Sequence, residues 1–246
     1  MIIGSKIYFF EQLTSTNSEA VRVMKENHIP EGSVISAGYQ SAGRGQKGNS
    51  WESSEGKNLL ISIILYPSII NPGEQFLISM AISLGICEFL RNYIPECKIK
   101  WPNDIYVFND KIAGVLIENS VMGDKIEYSV AGIGLNINQE KFLSNAPNPI
   151  SLKMVTGLDY DLTKCLYQLL SGLDRWYKQL LSGNFQKIRS DYISSLYRVG
   201  DWHDYSDDEG VFRGCIDSVE ADGKLKLLRE NGCHSLYGFK EIAFIQ

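Results

Sequence analysis

Apolar residues recur along the chain in two spacings, and these predict most of its elements. Ala20, Val21, Val23 and Met24 fall on one face of a short helix. Ahead of them Thr16-Asn17-Ser18-Glu19 reads as a capping box, the Thr hydroxyl serving a free amide of the first turn and Glu19 reaching back. Residues 33–39 and the nearly unbroken apolar run 58–66 predict strands. Between them, residues 43–56 are rich in Gly, Ser, Asn and charge and predict a long polar loop. Residues 74–93 are mostly apolar and predict a helix. Four β-like runs follow at 98–101, 105–108, 112–118 and 126–137. A second long helix is predicted over 161–181, with Asp161 or Thr163 near its start and Gly183 closing it, and a third over 185–197. After Gly200 short strands alternate with turns at Glu209-Gly210, Asp222-Gly223 and Asn231-Gly232. Turn signals roughly ten residues apart predict a small antiparallel barrel. A unit of under about 50 residues is marginal alone, so it is expected to pack on the larger body.

Composition narrows the class. The chain's 246 residues are 44% hydrophobic and 22% charged, which excludes disordered, collagen-like and coiled-coil readings. No apolar run approaches the roughly 18 residues that cross a bilayer. The N-terminal stretch MIIGSKIYFFEQL lacks the basic region and small-residue cleavage site of a signal peptide. A cytoplasmic location without a membrane partner is therefore expected. Cys87, Cys97, Cys165, Cys215 and Cys233 form no C-x-x-C pair, and only His28, His203 and His234 accompany them. Neither a zinc site nor a disulfide framework is readable, and buried thiols are expected. Of the net charge of −5, residues 200–246 carry all, with 10 acidic and 5 basic side chains, so residues 1–199 are neutral. Such a distribution has no general attraction for nucleic acid, and any anion site must be local.

The densest candidate chemistry is Gly43-Arg44-Gly45-Gln46-Lys47-Gly48-Asn49-Ser50-Trp51. It matches G-x-G-x-x-G, yet a dinucleotide fingerprint needs a helix opening at the glycines and an acid about 20 residues on. Here a polar loop and then a strand follow, with no such acid. A protein-kinase loop fails because H-R-D and D-F-G are absent. A phosphate loop beginning at Gly38 fails because Arg44-Gly45 replaces Lys-Ser/Thr. What remains is three glycines whose amides can approach an anion, Arg44 and Lys47 as cationic donors, and Trp51 as a flat face. A solvated surface loop is the plain alternative, and a Trp within it weighs against that. A lid over a phosphorylated, aromatic ligand fits better.

Three further motifs are individually modest. In Lys100-Trp101-Pro102-Asn103-Asp104, Pro102 forces an extended turn. Asp104 there offers the carboxylate that Mg²⁺ takes beside phosphate oxygens, although such clusters are also plain turns. Lys111-Ile112-Ala113-Gly114-Val115-Leu116-Ile117-Glu118 places one ammonium at the mouth of an apolar strand, where a lysine commonly only snorkels. Ala131-Gly132-Ile133-Gly134-Leu135-Asn136-Ile137-Asn138 has two glycines that would admit a ligand's flat surface, or pack a central strand tightly.

Together and in order, Ser15-Thr16-Asn17, Gln40, GRGQKGNSW, KWPND, KIAGVLIE and GIGLNIN make the chain resemble the catalytic domain of biotin–protein ligases over residues 8–246. With no helix-turn-helix upstream, it resembles the monofunctional form. The resemblance implies an α+β fold: a mixed β-sheet catalytic domain flanked by helices, of class II synthetase type, over 1–198, and an SH3-like β-barrel over 199–246. It implies biotin contacts from Ser15, Thr16, Asn17, Gln40, Gly43, Arg44, Gly45, Gln46, Lys111 and Gly114. It implies ATP contacts from Lys47, Asn49, Trp51, Asn103, Lys111 and Asn136, with Trp51 near adenine and Asp104 at Mg²⁺. Lys111 and Arg44 are the implied catalytic pair, Lys111 lying against the biotin carboxylate and the α-phosphate. Gln46 departs from the Arg that many members carry and removes one charge from the lid.

The implied chemistry has two steps. Biotin's carboxylate attacks the α-phosphorus of ATP and releases pyrophosphate; an acceptor lysine's neutral amine then attacks biotinyl-AMP and releases AMP. Two anions must meet, so Lys111, Arg44, Lys47 and Mg²⁺ offset their repulsion, and lid closure keeps water from the anhydride. No protein nucleophile is needed. The implied partner is the biotin carboxyl carrier domain of a biotin-dependent carboxylase. The rivals are a lipoate–protein ligase, with the same fold and logic, and a noncatalytic biotin-sensing binder, against which the acidic C-terminal region counts. Edge strands such as 126–137 could pair across a homodimer.

Overall fold

A computed structural model describes residues 1–26, 28–144 and 148–245, Lys47 by its backbone alone. Strand β3 (Asn58–Leu65) is buried along its whole length, and its alternate residues serve two cores. Leu59, Ile61, Ile63 and Leu65 enter one core and Ile64 the other, because successive side chains of a strand face opposite ways. The strand is therefore inside a layered sheet, and this is why its sequence reads as a continuous apolar run.

That sheet also contains β1 (Ile7–Leu13), β2 (Val34–Gln40), β4 (Lys98–Lys100), β5 (Asp104–Val107), β6 (Asp110–Met122) and β7 (Lys125–Asn136). Its order is β1-β2-β3-β7-β6-β5-β4. Only β1 and β2 run parallel, so the sheet is mixed, as expected. The run 126–137 is not an edge strand. As β7 it is hydrogen-bonded on both sides, to β3 and to β6, and the sheet's edges are β1 and β4.

Helix α1 (Thr16–Glu26) covers the β2-β3-β7 part of one face. Helices α2 (Phe76–Leu90), α4 (Leu162–Leu181) and α5 (Phe185–Ser194) cover the other, with a short α3 (Leu152–Thr156) between β7 and α4. The stretch Pro72–Leu90 is long and apolar enough to span a membrane by length and composition, contrary to the count of apolar runs; 78% of its apolar window is buried inside the protein. It is the central core helix. Asp161, not Thr163, caps α4, its carboxylate accepting from Lys164 N at 2.9 Å. The capping box at Thr16 does not form. The helix begins at Thr16, whose hydroxyl turns to Gln40, and Glu19 pairs with Arg22 at 2.6 Å.

Beyond α5, β8 (Trp202–Asp207), β9 (Gly210–Val219), β10 (Leu225–Arg229), β11 (His234–Tyr237) and β12 (Ala243–Phe244) form an antiparallel sheet in the order β11-β10-β9-β8-β12. Its Tyr205, Ile216, Val219, Leu225, Leu227 and Tyr237 join the same core as α2. Trp101 fastens the two sheets, donating Nε1–H to Gly223 O at 2.9 Å and packing on Phe239 with ring centres 5.4 Å apart. Cys87, Cys97 and Cys165 are buried as expected, whereas Cys215 is half-buried and Cys233 exposed.

Candidate active site

The site is built on the α1 side of the large sheet, where glycines leave bare backbone. Strands β6 and β7 place Gly114 opposite Gly134 and Leu116 opposite Gly132. The flat surface foreseen between these glycines is filled by Trp51. A Cβ on Gly134 would stand 2.3 Å from the indole Cε2, and one on Gly114 3.0 Å from Cζ3. Gly132 makes the corresponding room for Asn17, whose Oδ1 lies 2.2 Å from where a Cβ would be. The loop carrying Trp51 is folded as a flap. Arg44 bridges Ser50, Gly45 N donates to Asn49 O at 2.7 Å, and Trp51 N to Gly43 O at 2.9 Å, around a 3₁₀ turn at Gln46–Gly48.

At the β1-β2-β3 end the cleft is polar and neutral. Ser15, Thr16 and Asn17 are buried where β1 passes into α1. Thr16 N and Oγ1 both donate to Gln40 Oε1, at 2.7 and 3.0 Å. Ser62 Oγ lies 2.8 Å from Thr16 Oγ1 and 2.5 Å from Asn17 Oδ1, and its single proton serves one of them at a time. Asn17 Nδ2 donates to Glu118 Oε2 at 2.8 Å, and Arg44 Nη2 donates to the same oxygen at 2.7 Å. Donors and acceptors thus alternate along this end of the cleft, where a polar ligand can exchange hydrogen bonds with them.

Further along the sheet the cleft becomes charged. Lys111 Nζ on β6 is 2.6 Å from Asp104 Oδ1 on β5, with both side chains about three-quarters buried (25% and 24% exposed). The same ammonium stands 5.6 Å from the Trp51 ring centre. Asn103 donates to Val115 O and its own carbonyl accepts from Val115 N at 3.0 Å, which pins the turn after the cis Trp101–Pro102 peptide to β6. Asp104 is the one carboxylate among the described residues lining the main cleft, and no group of three His, Cys, Asp or Glu converges among the described residues.

Nearly all the residues singled out from sequence meet here. Ser15, Thr16, Asn17, Gln40, Arg44, Gly45, Gln46, Asn49, Trp51, Asn103, Asp104, Lys111 and Gly114 line one cleft of about 420 Å³. Asn49, Trp51, Asp104 and Lys111 also line an adjoining cavity of about 440 Å³, and Asn136 lines only that one. Asn136 donates to Ile150 O at 3.0 Å and leaves its Oδ1 buried with no partner among the described residues. Gly43 is not a cleft residue: it is buried behind the flap, where a Cβ would meet Trp51 O at 2.5 Å. The side chain of Lys47 lies outside the described residues.

With this geometry in place, the comparison with known proteins is direct. Residues 9–136, just over half of the chain, match the biotin/lipoate A/B protein ligase family. The chain belongs to that family. It is 28% identical to the bifunctional ligase/repressor BirA of Bacillus subtilis, over 96% of this chain and 73% of that protein. It is equally 28% identical to the biotin–[acetyl-CoA-carboxylase] ligase of Paracoccus denitrificans, over 83% of this chain and 88% of that one. Its fold is that of the biotin protein ligase from Aquifex aeolicus solved in complex with biotin and ATP, with a TM-score of 0.80 at 23% identity, covering 98% and 99% of the two chains.

Within this biotin/lipoate ligase fold, several residues that line the cleft or hold its lining side chains escaped the sequence reading. Ser62 is hidden in an apolar strand, and its only signal is a lone hydroxyl in LLISIIL. Glu118 closes the KIAGVLIE motif and pairs with Arg44, 74 residues away. The C-terminal residues Phe239, Lys240, Ile242 and Phe244, which tertiary packing alone brings to the cleft, form the remaining wall beside Lys100 of the KWPND motif.

Proposed function

We propose that this chain is an ATP-dependent biotin–protein ligase, which condenses biotin with ATP to biotinyl-AMP and passes the biotinyl group to a lysine of a biotin carboxyl carrier domain. The observation that carries the reading is that Lys111 and Asp104 line both cavities. An acid held in one and a nucleoside held in the other therefore meet at the Lys111 ammonium. The neutral end at Thr16, Asn17 and Gln40 suits an uncharged ring with N–H donors and a carbonyl acceptor, as in the biotin ureido group. The name of the Paracoccus denitrificans relative, a biotin–[acetyl-CoA-carboxylase] ligase, favours biotin and a carboxylase acceptor.

The residues act by positioning and charge. Lys111 lies where carboxylate and α-phosphate repel each other, and its ammonium offsets the charge that builds up there. Arg44 arrives with the flap, tethered by Glu118. Trp51 lies beside Lys111 and supplies the aromatic face for the nucleotide base. Asp104 fits a Mg²⁺ that brings phosphate oxygens with it, since one carboxylate suffices in such sites, and the ion supplies further neutralisation of phosphate charge. The test is incubation with ATP, Mg²⁺, an apo carrier domain and either biotin or lipoate, read by mass spectrometry of the carrier. A biotinyl adduct is expected. A lipoyl adduct alone, or biotin binding without pyrophosphate release, would overturn the reading in favour of the lipoate ligase or the noncatalytic binder.

A further inference from the structure

The strand order arranges the cleft's polar groups in a row. Beside Thr16 and Asn17, which Ser62 of β3 supports from beneath, stand the glycines of β7, then Lys111 on β6, Asp104 on β5 and finally Lys100 on β4. The row runs from the neutral end, past the cation that serves the reacting centre, to a second lysine at the opposite edge. Strands lie about 4.8 Å apart, so Lys100 starts about 10 Å from the Lys111 strand, within reach of a triphosphate lying between the two side chains.

Lys100 differs from Arg44 and Lys111. Arg44 and Lys111 each hold a carboxylate, at 2.7 and 2.6 Å. The Lys100 ammonium instead contacts the Tyr106 hydroxyl at 3.1 Å and the ring faces of Tyr106 and Phe244, at 4.8 and 5.3 Å from their centres. Among the described residues no carboxylate lies within ion-pairing distance of it. Burial holds its ammonium below the ordinary lysine value; Asp104 opposes that shift, and Arg198 and Lys111 add to it. A half-buried cation with aromatic neighbours, and with its nearest strand partner Asp104 paired to Lys111, has no acid within ion-pairing distance and is an incomplete pair.

We propose that Lys100 is the residue that binds the β- and γ-phosphates of ATP and stabilises the departing pyrophosphate, a role separate from that of Lys111. The proposal rests on the adenylating reading above. In that step a carboxylate oxygen bonds to the α-phosphorus while the bond from that phosphorus to the α,β-bridging oxygen breaks. The electron pair leaves on the pyrophosphate, and no proton or oxidant is required. Displacement at phosphorus is in line, so an acid approaching from the Ser15 end sends its leaving group toward the β4 edge, where Lys100 stands. Phe244 of the C-terminal sheet forms the wall beside Lys100, which makes that sheet part of the nucleotide site.

The test separates the two half-reactions. In Lys100→Gln, pyrophosphate release from biotin and ATP should fall by about 10- to 100-fold, the scale of losing one charge-stabilising group. Inhibition by added inorganic pyrophosphate should weaken in parallel. Transfer from supplied biotinyl-AMP to the apo carrier should stay within about twofold, because no pyrophosphate takes part. Lys100→Arg should recover most of the loss. Wild-type pyrophosphate release from Lys100→Gln, an equal fall in both half-reactions, or a fall in transfer alone would each overturn the proposal. If neither variant folds, the wild type decides: inorganic pyrophosphate should protect Lys100 from acylating reagents, and unprotected labelling overturns the assignment. A wild-type chain that forms no adenylate from biotin or lipoate would instead sink the adenylating reading itself.

Discussion

Gly134→Ala is the sharpest test of how the flap and the sheet are coupled. The added methyl would lie 2.3 Å from Cε2, 2.6 Å from Nε1 and 2.7 Å from Cζ2 of Trp51. Ordinary contact begins near 3.4 Å, so the indole must retreat by roughly 1.1 Å. The strand cannot yield, because β7 is hydrogen-bonded to β3 on one side and β6 on the other. The ring must move, and the flap with it, since Trp51 N is tied to Gly43 O. Forcing a methyl into a filled space costs about 1–3 kcal/mol. Here the flap's Ser50 is exposed and the loop can swing outward, so the cost falls on ligand binding and not on folding. The expected result is a rise of about 5- to 150-fold in the ATP KM for pyrophosphate release, with a nearly unchanged melting temperature. Fluorescence of Trp51, isolated by difference from Trp51→Phe, should shift to the red as the indole leaves the glycines. Gly114→Ala, with its closest contact at 3.0 Å, should do the same more mildly. An unchanged KM in Gly134→Ala, or a larger effect from Gly114→Ala, would refute the coupling.

Lys111→Ala should slow adenylate formation at least tens-fold, from the loss of about 2–4 kcal/mol of charge stabilisation. Near-normal pyrophosphate release in this variant would discredit the role. Glu118→Gln breaks the Arg44 pair, but that pair is 45% and 38% exposed, so it contributes less than about 1 kcal/mol. A melting temperature lowered by more than about 4 °C would contradict this. Burial alone would raise the Asp174 carboxyl, yet Lys178 and the amides of Ile2 and Ile3, at 2.6 and 3.0 Å, outweigh burial and hold it below the usual aspartate value. A carboxyl depressed by folding stabilises the native state above its unfolded value, about 3.9, and loses that contribution as the pH falls through the folded value. Asp174→Asn should therefore be less stable than wild type in urea at pH 7, and the gap should close toward pH 2; a gap independent of pH would refute it.

Long elements were legible because burial writes itself into sequence as a period. The helices 76–90, 162–181 and 185–194 and the strands from 58 to 136 follow the predicted runs to within a few residues. Strand β1 was not legible. As a half-exposed edge, with Phe9 68% exposed and Glu11 in its middle, it has no clean alternation. Helix α3 escaped because five residues are too few for a helical period, although Ser151 caps it and Gly157 ends it at φ 76°. The motif residues could be gathered as one site only because, together and in that order, they resemble the biotin–protein ligase pattern; each motif alone also had a plain structural reading. Their pairings could not be read. Arg44 with Glu118 and Lys111 with Asp104 depend on which strands become neighbours.

By itself, then, the amino-acid order determined which residues are apolar, where the chain turns, and which few side chains carry charge into a hydrophobic setting. Those are local properties, expressed over a helical turn or a strand. Only the folded chain decided that 126–137 lies inside the sheet, that Trp51 rests on Gly114 and Gly134, and that the C-terminal sheet walls the cleft at Lys100. Each of these is a meeting of segments distant in sequence, selected by the burial of a shared core and by backbone hydrogen bonds that leave few strand orders possible.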